Sequence, residues 1–167
     1  NAARAALHGE IQRNTAATDS QKAASTKLVD IIVAVTASGL KEGILDSFVD
    51  VQPVPQGTNV MIAGIRTVQG NRLQEAFAVL PQSTLNVNVK LGIDKSGDVA
   101  IHSATVPADL HDDFASLFGD SNTVYVGTSP NAVWCAAGPD ALDKLKAAIL
   151  AAATIAKTPN DDFVDLR

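Results

Sequence analysis

The residues of this 167-residue chain that are equipped for chemistry are few, and they do not converge in the sequence. The densest polar run is Asp109-Leu110-His111-Asp112-Asp113. On a helix Asp109 and Asp113 share a face at i, i+4 while His111 points elsewhere, and a divalent cation requires ligands that converge. Carboxylates in a first helical turn instead face the positive end of the helix dipole, a stabilisation of a few tenths to about 1 kcal/mol each. That structural role is the one expected. His102 could act as a general base if a cleft formed beside it, but no carboxylate stands at a telling spacing, so a surface or hydrogen-bonded structural histidine is expected. His8, with no partner nearby in sequence, is expected to face solvent. Cys135, beside Trp134 in an apolar strand, reads as an inert buried thiol, because a nucleophilic cysteine requires a lowered pKa and a histidine close by. Asp94-x-Ser96-x-Asp98 has the first carboxylates of a calcium loop but lacks its glycine and distal bidentate glutamate, so a polar hairpin turn is expected. No Gly-x-Ser-x-Gly, His-Glu-x-x-His, GxGxxG or GK[ST] motif occurs. No catalytic, cofactor-binding or metal-ligating residue is therefore assigned, and no cofactor is expected.

Composition bounds the elements that must position these residues. Hydrophobic residues make up 46% and charged residues 19%, which is globular, and aromatics at 4% leave Val, Ile, Leu and Ala to fill the core. A net charge of −5 without a cluster of Lys and Arg argues against a nucleic-acid footprint, and no nucleic-acid partner is expected. The single cysteine excludes an internal disulfide. The run Ile31-Ile32-Val33-Ala34-Val35 is far short of the ~20 residues that span a bilayer, so no membrane insertion is expected. The start at Asn1 without Met suggests removal of an N-terminal portion.

Residues 1–43 read as an N-terminal helical segment: Ala2 to Arg13 is alanine-rich, and Leu28, Ile31, Ile32 and Val35 make one apolar stripe. Asp19 or Ser20 would cap the second helix and Gly39 would end it. Residues 44–158 repeat a strand-strand-helix plan three times. The first unit runs from Phe48-Val49-Asp50-Val51 through Pro55-Gln56-Gly57 to Asn59–Ala63, then into a helix opening at Asn71 with Gln74 as capping-box partner, its inner face formed by Leu73, Ala76, Phe77 and Leu80. In the second, Leu85, Val87, Val89, Leu91 and Ile93 alternate with polar residues. Asp94 to Gly97 turns this strand into Val99–His102, and a helix from Pro107 with Leu110, Phe114, Leu117 and Phe118 inward stops at Gly119. The third pairs Val124-Tyr125-Val126 with Ala132–Cys135 before a helix with Leu142, Leu145, Ala148 and Ile149 inward. Three such units predict an α+β fold with an antiparallel sheet of about six strands and the helices packed on one face. The order of the strands is not legible. Residues 159–167 are a tail or the start of a further strand, since Asp161-Asp162-Phe163-Val164-Asp165 repeats the pattern of Asp46-Ser47-Phe48-Val49-Asp50.

Phe118-Gly119-Asp120, Val124-Tyr125-Val126 and Val133-Trp134-Cys135-Ala136-Ala137-Gly138-Pro139-Asp140-Ala141-Leu142, followed by Leu145 to Ile149, together resemble a family of uncharacterised planctomycete proteins that carry signal peptides. Val99-Ala100-Ile101-His102, Val106-Pro107 and the turn Ala63-Gly64 leading towards Leu73 share in the resemblance, which covers roughly residues 44 to 150. It implies an extracytoplasmic (periplasmic or secreted) setting within a longer chain, and no catalytic residue.

Three functions follow as expectations. The first is a non-enzymatic structural or interaction module whose partners are neighbouring domains of the parent chain or another protein. The second is a small-molecule or lipid-binding module with an apolar pocket between sheet and helices. The third, a hydrolase-type enzyme using His102 or the Asp109 to Asp113 cluster, requires a nucleophilic or titratable partner within reach of His102.

Overall fold

The computed structural model describes residues 2–44, 46–55 and 57–155; the strand start expected over 161–167 lies outside them. Helix α1 spans Ala2–Arg13 and α2 spans Asp19–Lys41. The start of α2 is set by Thr18 rather than Asp19 or Ser20: the Thr18 hydroxyl accepts from the Gln21 N–H, and the Gln21 side chain accepts from the Thr18 N–H. Gly39 does not end this helix. It is buried inside it, where a Cβ would lie 3.4 Å from the Ile44 carbonyl, and Gly43, at φ +68°, takes the left-handed position instead.

Leu28, Ile31 and Val35 of α2 are buried against Ala76 in α3 (Leu73–Val79). Helix α1 is tied to α2 at Asp30, which accepts from Arg4 Nε at 2.7 Å and lies 2.8 Å from His8 Nε2. By length and composition α2 is long and apolar enough to cross a membrane.

The strands are β1 (Ser47–Pro53), β2 (Asn59–Arg66), β3 (Val89–Ser96), β4 (Val99–Thr105), β5 (Thr123–Thr128) and β6 (Ala132–Ala137), and the remaining helices are α4 (His111–Phe118) and α5 (Ala141–Ile155). The expected α+β class and six-stranded antiparallel sheet are present. Each hairpin pairs within itself, and the third is inserted between the other two to give the order β1-β2-β6-β5-β4-β3. Among the described residues the strands β1 and β3 are thereby the two edges.

The helices do not share one face. Ile101 and His102 are successive residues of β4 and so point to opposite sides. Ile101 packs with Leu145 and Ile149 of α5, whereas the His102 ring lies against Phe77 of α3 at 5.8 Å. The expectation of a single covered face came from the polar alternation of residues 85 to 93. That strand proves to be an edge, while inner strands carry buried residues on both sides, Ala136 and Ala137 of β6 among them, and both faces require cover.

Local departures have local causes. Strand β3 begins at Val89, not Leu85, and its register breaks between Lys90 and Asp94 around Gly92, at φ +60°. Leu91 and Ile93 are left exposed, so the expected one-sided burial is lost. Short 3₁₀ turns at Gly70–Arg72 and Ala108–Leu110 precede α3 and α4, neither of which has a side-chain cap; the Asn71–Gln74 box does not form. Leu110 and Leu117 face outward, while Gly119, at φ +71°, ends α4 as expected. Helix α5 buries Ala141, Leu145 and Ile149 over Val60, Ile62, Trp134 and Ala136, the main core.

Candidate functional site

His102 is held by three elements and is almost wholly buried. Its Nδ1 accepts the Gly92 backbone N–H at 3.0 Å, and its Nε2 lies 2.9 Å from Thr128 Oγ1 on β5. A hydroxyl is therefore within reach, as an enzyme reading requires, but the tautomer is wrong for it. A backbone N–H can only donate, so Nδ1 carries no proton, and the neutral ring must bear its hydrogen on Nε2 and donate it to Thr128. Such a ring cannot take a proton from that hydroxyl. Burial also pushes the His102 pKa down, which favours this neutral form. The side chain clamps the β3 bulge to the sheet.

The remaining candidates stay apart. Asp109 sits on the 3₁₀ turn and Asp113 on α4, so the helical i, i+4 face does not form; Asp112 is fully exposed, with His111 Nδ1 3.8 Å away. Cys135 is half-buried on β6, and burial raises its pKa, the opposite of what a nucleophile requires. Asp94 binds Lys146 of α5 at 2.8 Å and accepts the Lys95 N–H at 2.7 Å; the Lys146 ammonium holds its carboxyl below the usual range. The loop is a strand-to-helix tie. No group of three or more metal-ligating side chains occurs among the described residues. His8 is the reverse case, since its partner Asp30 lies 22 residues away and no sequence signal announced it.

Three cavities bear on ligand binding. A cleft of about 880 Å³ between the β1–β2 turn, the end of α4 and the start of α5 has Asp120, Asp140 and Lys144 in its wall, and among the described residues no side-chain hydrogen bond or ion pair joins them. The expected apolar pocket between sheet and helices has two counterparts: about 100 Å³ between α2 and the sheet, below the roughly 300–1,000 Å³ of small-molecule sites, and a groove of about 380 Å³ between the sheet and α5, within that range.

What the fold does assemble is the β1 edge. Every residue of β1 is exposed, Phe48, Val49 and Val51 by 45%, 67% and 54%. The Asp46 carbonyl accepts from Arg66 N and Val54 N donates to Thr58 O, and the register between these pairs is unbroken. In an antiparallel ladder, bonded and non-bonded pairs alternate, so the even-numbered residues of β1 bond β2. The N–H and C=O groups of Ser47, Val49 and Val51 therefore point away from the sheet, as does the Pro53 carbonyl. On the α5 side Phe48 meets Trp134 edge-on, with ring centroids 5.7 Å apart. Gly64 makes this possible, since a Cβ there would lie 2.5 Å from the Phe48 ring. Beside this pair runs an apolar groove of about 380 Å³, lined also by Ala152 of α5. The only legible signal for this site was the Phe/Val-rich segment itself. No family model, no curated protein and no solved structure matches this chain.

Proposed function

We propose that this chain is a non-enzymatic structural or interaction module of a longer extracytoplasmic bacterial protein, and that it joins a neighbouring domain or another protein by accepting an extended strand along β1. The observation that carries this reading is the unbroken row of outward N–H and C=O groups at Ser47, Val49 and Val51. An edge of this kind is a template for strand addition, in which the backbone supplies affinity and alternate side chains supply selectivity. Val49 and Val51 lie on one face of the strand, while Phe48 and Asp50 lie on the other with Asp46 just before them. The partner is accordingly an extended segment with β-branched or aromatic residues opposite the valines and a basic residue opposite Asp50. The neutral, doubly bonded His102 supports the non-enzymatic part of the reading. The extracytoplasmic setting rests on the resemblance of residues 44 to 150.

An array of synthetic heptapeptides with alternating β-branched and basic residues tests the edge. Val49→Pro removes one outward donor without touching the ladder to β2, and Pro53 already occupies an equivalent position. The expected result is peptide binding by the native chain that Val49→Pro abolishes while its thermal unfolding stays cooperative. Binding by neither chain, or equal binding by both, overturns the reading.

A further inference from the structure

The cavity between α2 and the sheet combines an apolar wall with one buried hydroxyl. Aliphatic side chains from four elements form the wall: Val35 of α2, Ile65 of β2, Leu73 of α3 and Val133 of β6. Thr67, just beyond β2, also lines it; this residue is 5% exposed, and its Oγ1 has no hydrogen-bond partner among the described residues. Two distances orient the side chain. Its methyl carbon lies 3.0 Å from where a Cβ on Gly70 would stand, and its hydroxyl lies 3.9 Å from where a Cβ on Gly39 would stand. The hydroxyl is therefore turned across the cavity towards α2. The other polar side chains of the lining are engaged, since Thr36 donates to the Ile32 carbonyl at 2.9 Å and Arg66 binds Asp46 at 3.3 Å.

Gly39 is the second mark of a site. The left-handed stop of α2 is at Gly43, so the turn makes no demand for glycine at position 39. A Cβ there would meet only ordinary contacts, 3.4 Å from the Ile44 carbonyl and 3.9 Å from the Thr67 hydroxyl. Alanine would fit and would favour the helix. It would also stand over the Thr67 hydroxyl and fill the space that glycine leaves open.

Size and chemistry define the occupant. An apolar cavity of about 150 Å³ takes up one benzene ring, so the cavity of about 100 Å³ here matches a molecule of about four or five heavy atoms. A charged ligand would lose its hydration without gaining a counter-ion, because Arg66 is already paired. A buried hydroxyl without a partner carries a desolvation cost that one acceptor atom offsets. We infer that this cavity binds a small uncharged aliphatic molecule with one oxygen acceptor, a short ketone in shape, with Thr67 Oγ1 donating to that oxygen and Gly39 leaving room for the carbon chain. This goes beyond the proposed function, because it does not use the outward backbone of β1.

Amide NMR spectra of the full chain titrated with butan-2-one test the site, alongside Gly39→Ala, Thr67→Val and Thr67→Ser. The Thr67 N–H is held by the Asn131 carbonyl at 3.0 Å, so the substitutions at this position change the side chain alone. The native chain should show saturable shifts confined to the amides around the cavity, those of Gly39, Ile65, Thr67 and Val133 among them. Gly39→Ala should abolish saturation, Thr67→Val should weaken binding about fivefold, the worth of one neutral hydrogen bond, and Thr67→Ser should retain it. Alanine favours the helix and valine removes an unpaired hydroxyl, so both variants should melt at or above the native temperature, which separates lost binding from lost folding. Absence of saturable shifts in the native chain, equal binding by Gly39→Ala, or an unchanged midpoint in Thr67→Val each overturns the inference.

Discussion

The two edges of this sheet, β1 and β3, face the same hazard and treat it differently. Strand β3 carries a bulge at Gly92, lysines at positions 90 and 95, and contacts from α3 and α5. Its break is held open from the inside, because the Gly92 N–H is turned into the sheet towards His102. Strand β1 has no bulge, no lysine and seven exposed residues. Edge strands of natural proteins are commonly blunted by the devices seen in β3. Strand β1 has only Asp50 and Pro53 of such devices, and the strand-addition proposal rests on that contrast.

Breaking the guarded edge carries the largest expected cost. His102→Leu leaves the buried Thr128 hydroxyl without its partner, at about 1–3 kcal/mol, and removes the acceptor that holds the Gly92 N–H of the bulge. Urea unfolding should show a loss of that order, and exchange of the β3 amides should accelerate first. His102→Gln, which can accept from Gly92 and donate to Thr128, should recover most of it.

The same clamp sharpens the contrast through pH. Burial holds the His102 pKa below its ordinary value of 6.5, so the unfolded chain takes up a proton that the folded chain refuses. Stability contributed by the neutral ring is present in full above pH 6.5 and is lost as the pH falls below it, levelling off under the folded pKa. The slope from this one group is at most about 1.4 kcal/mol per pH unit. Denaturant midpoints measured across this window should fall for the native chain, and His102→Gln should flatten that part of the profile.

The open edge should be the least sensitive to change. Val51→Lys introduces on β1 the device that guards β3, at a site 54% exposed and without a ladder bond to β2. Its effect on stability should lie within about 0.5 kcal/mol, as for other surface substitutions. Strand addition, followed by peptide binding, should nonetheless be lost. A large loss of stability instead would show that β1 is already covered in the native chain.

How far the sequence could be read follows from the range of each interaction. The extent of α1, the Gly119 stop and the three hairpins rest on residues a few positions apart, and they were legible. The caps of α2 and α3 were equally local but were assigned to the wrong residues, because Thr18 competed with Asp19 and Ser20, and Gly70–Arg72 adopted a 3₁₀ turn. The alternation from Leu85 to Ile93 was real in the sequence and misleading about burial, since one left-handed glycine at position 92 rotates the strand midway. That His102 is structural was expected from the lack of a local partner. Its actual partners, Gly92 and Thr128, lie 10 and 26 residues away.

By itself, then, the sequence determined the α+β class, the three strand-strand-helix units and the absence of any familiar catalytic motif, all of which depend on periodicity and turn chemistry within a few residues. Only the tertiary structure decided that the third hairpin enters between the first two, and with it which strands became edges. Strand order depends on apolar faces meeting across some seventy residues of chain, as when Ile62 finds Ala136, and no local pattern encodes which of several apolar hairpins will meet. The open edge at β1 is a consequence of that choice.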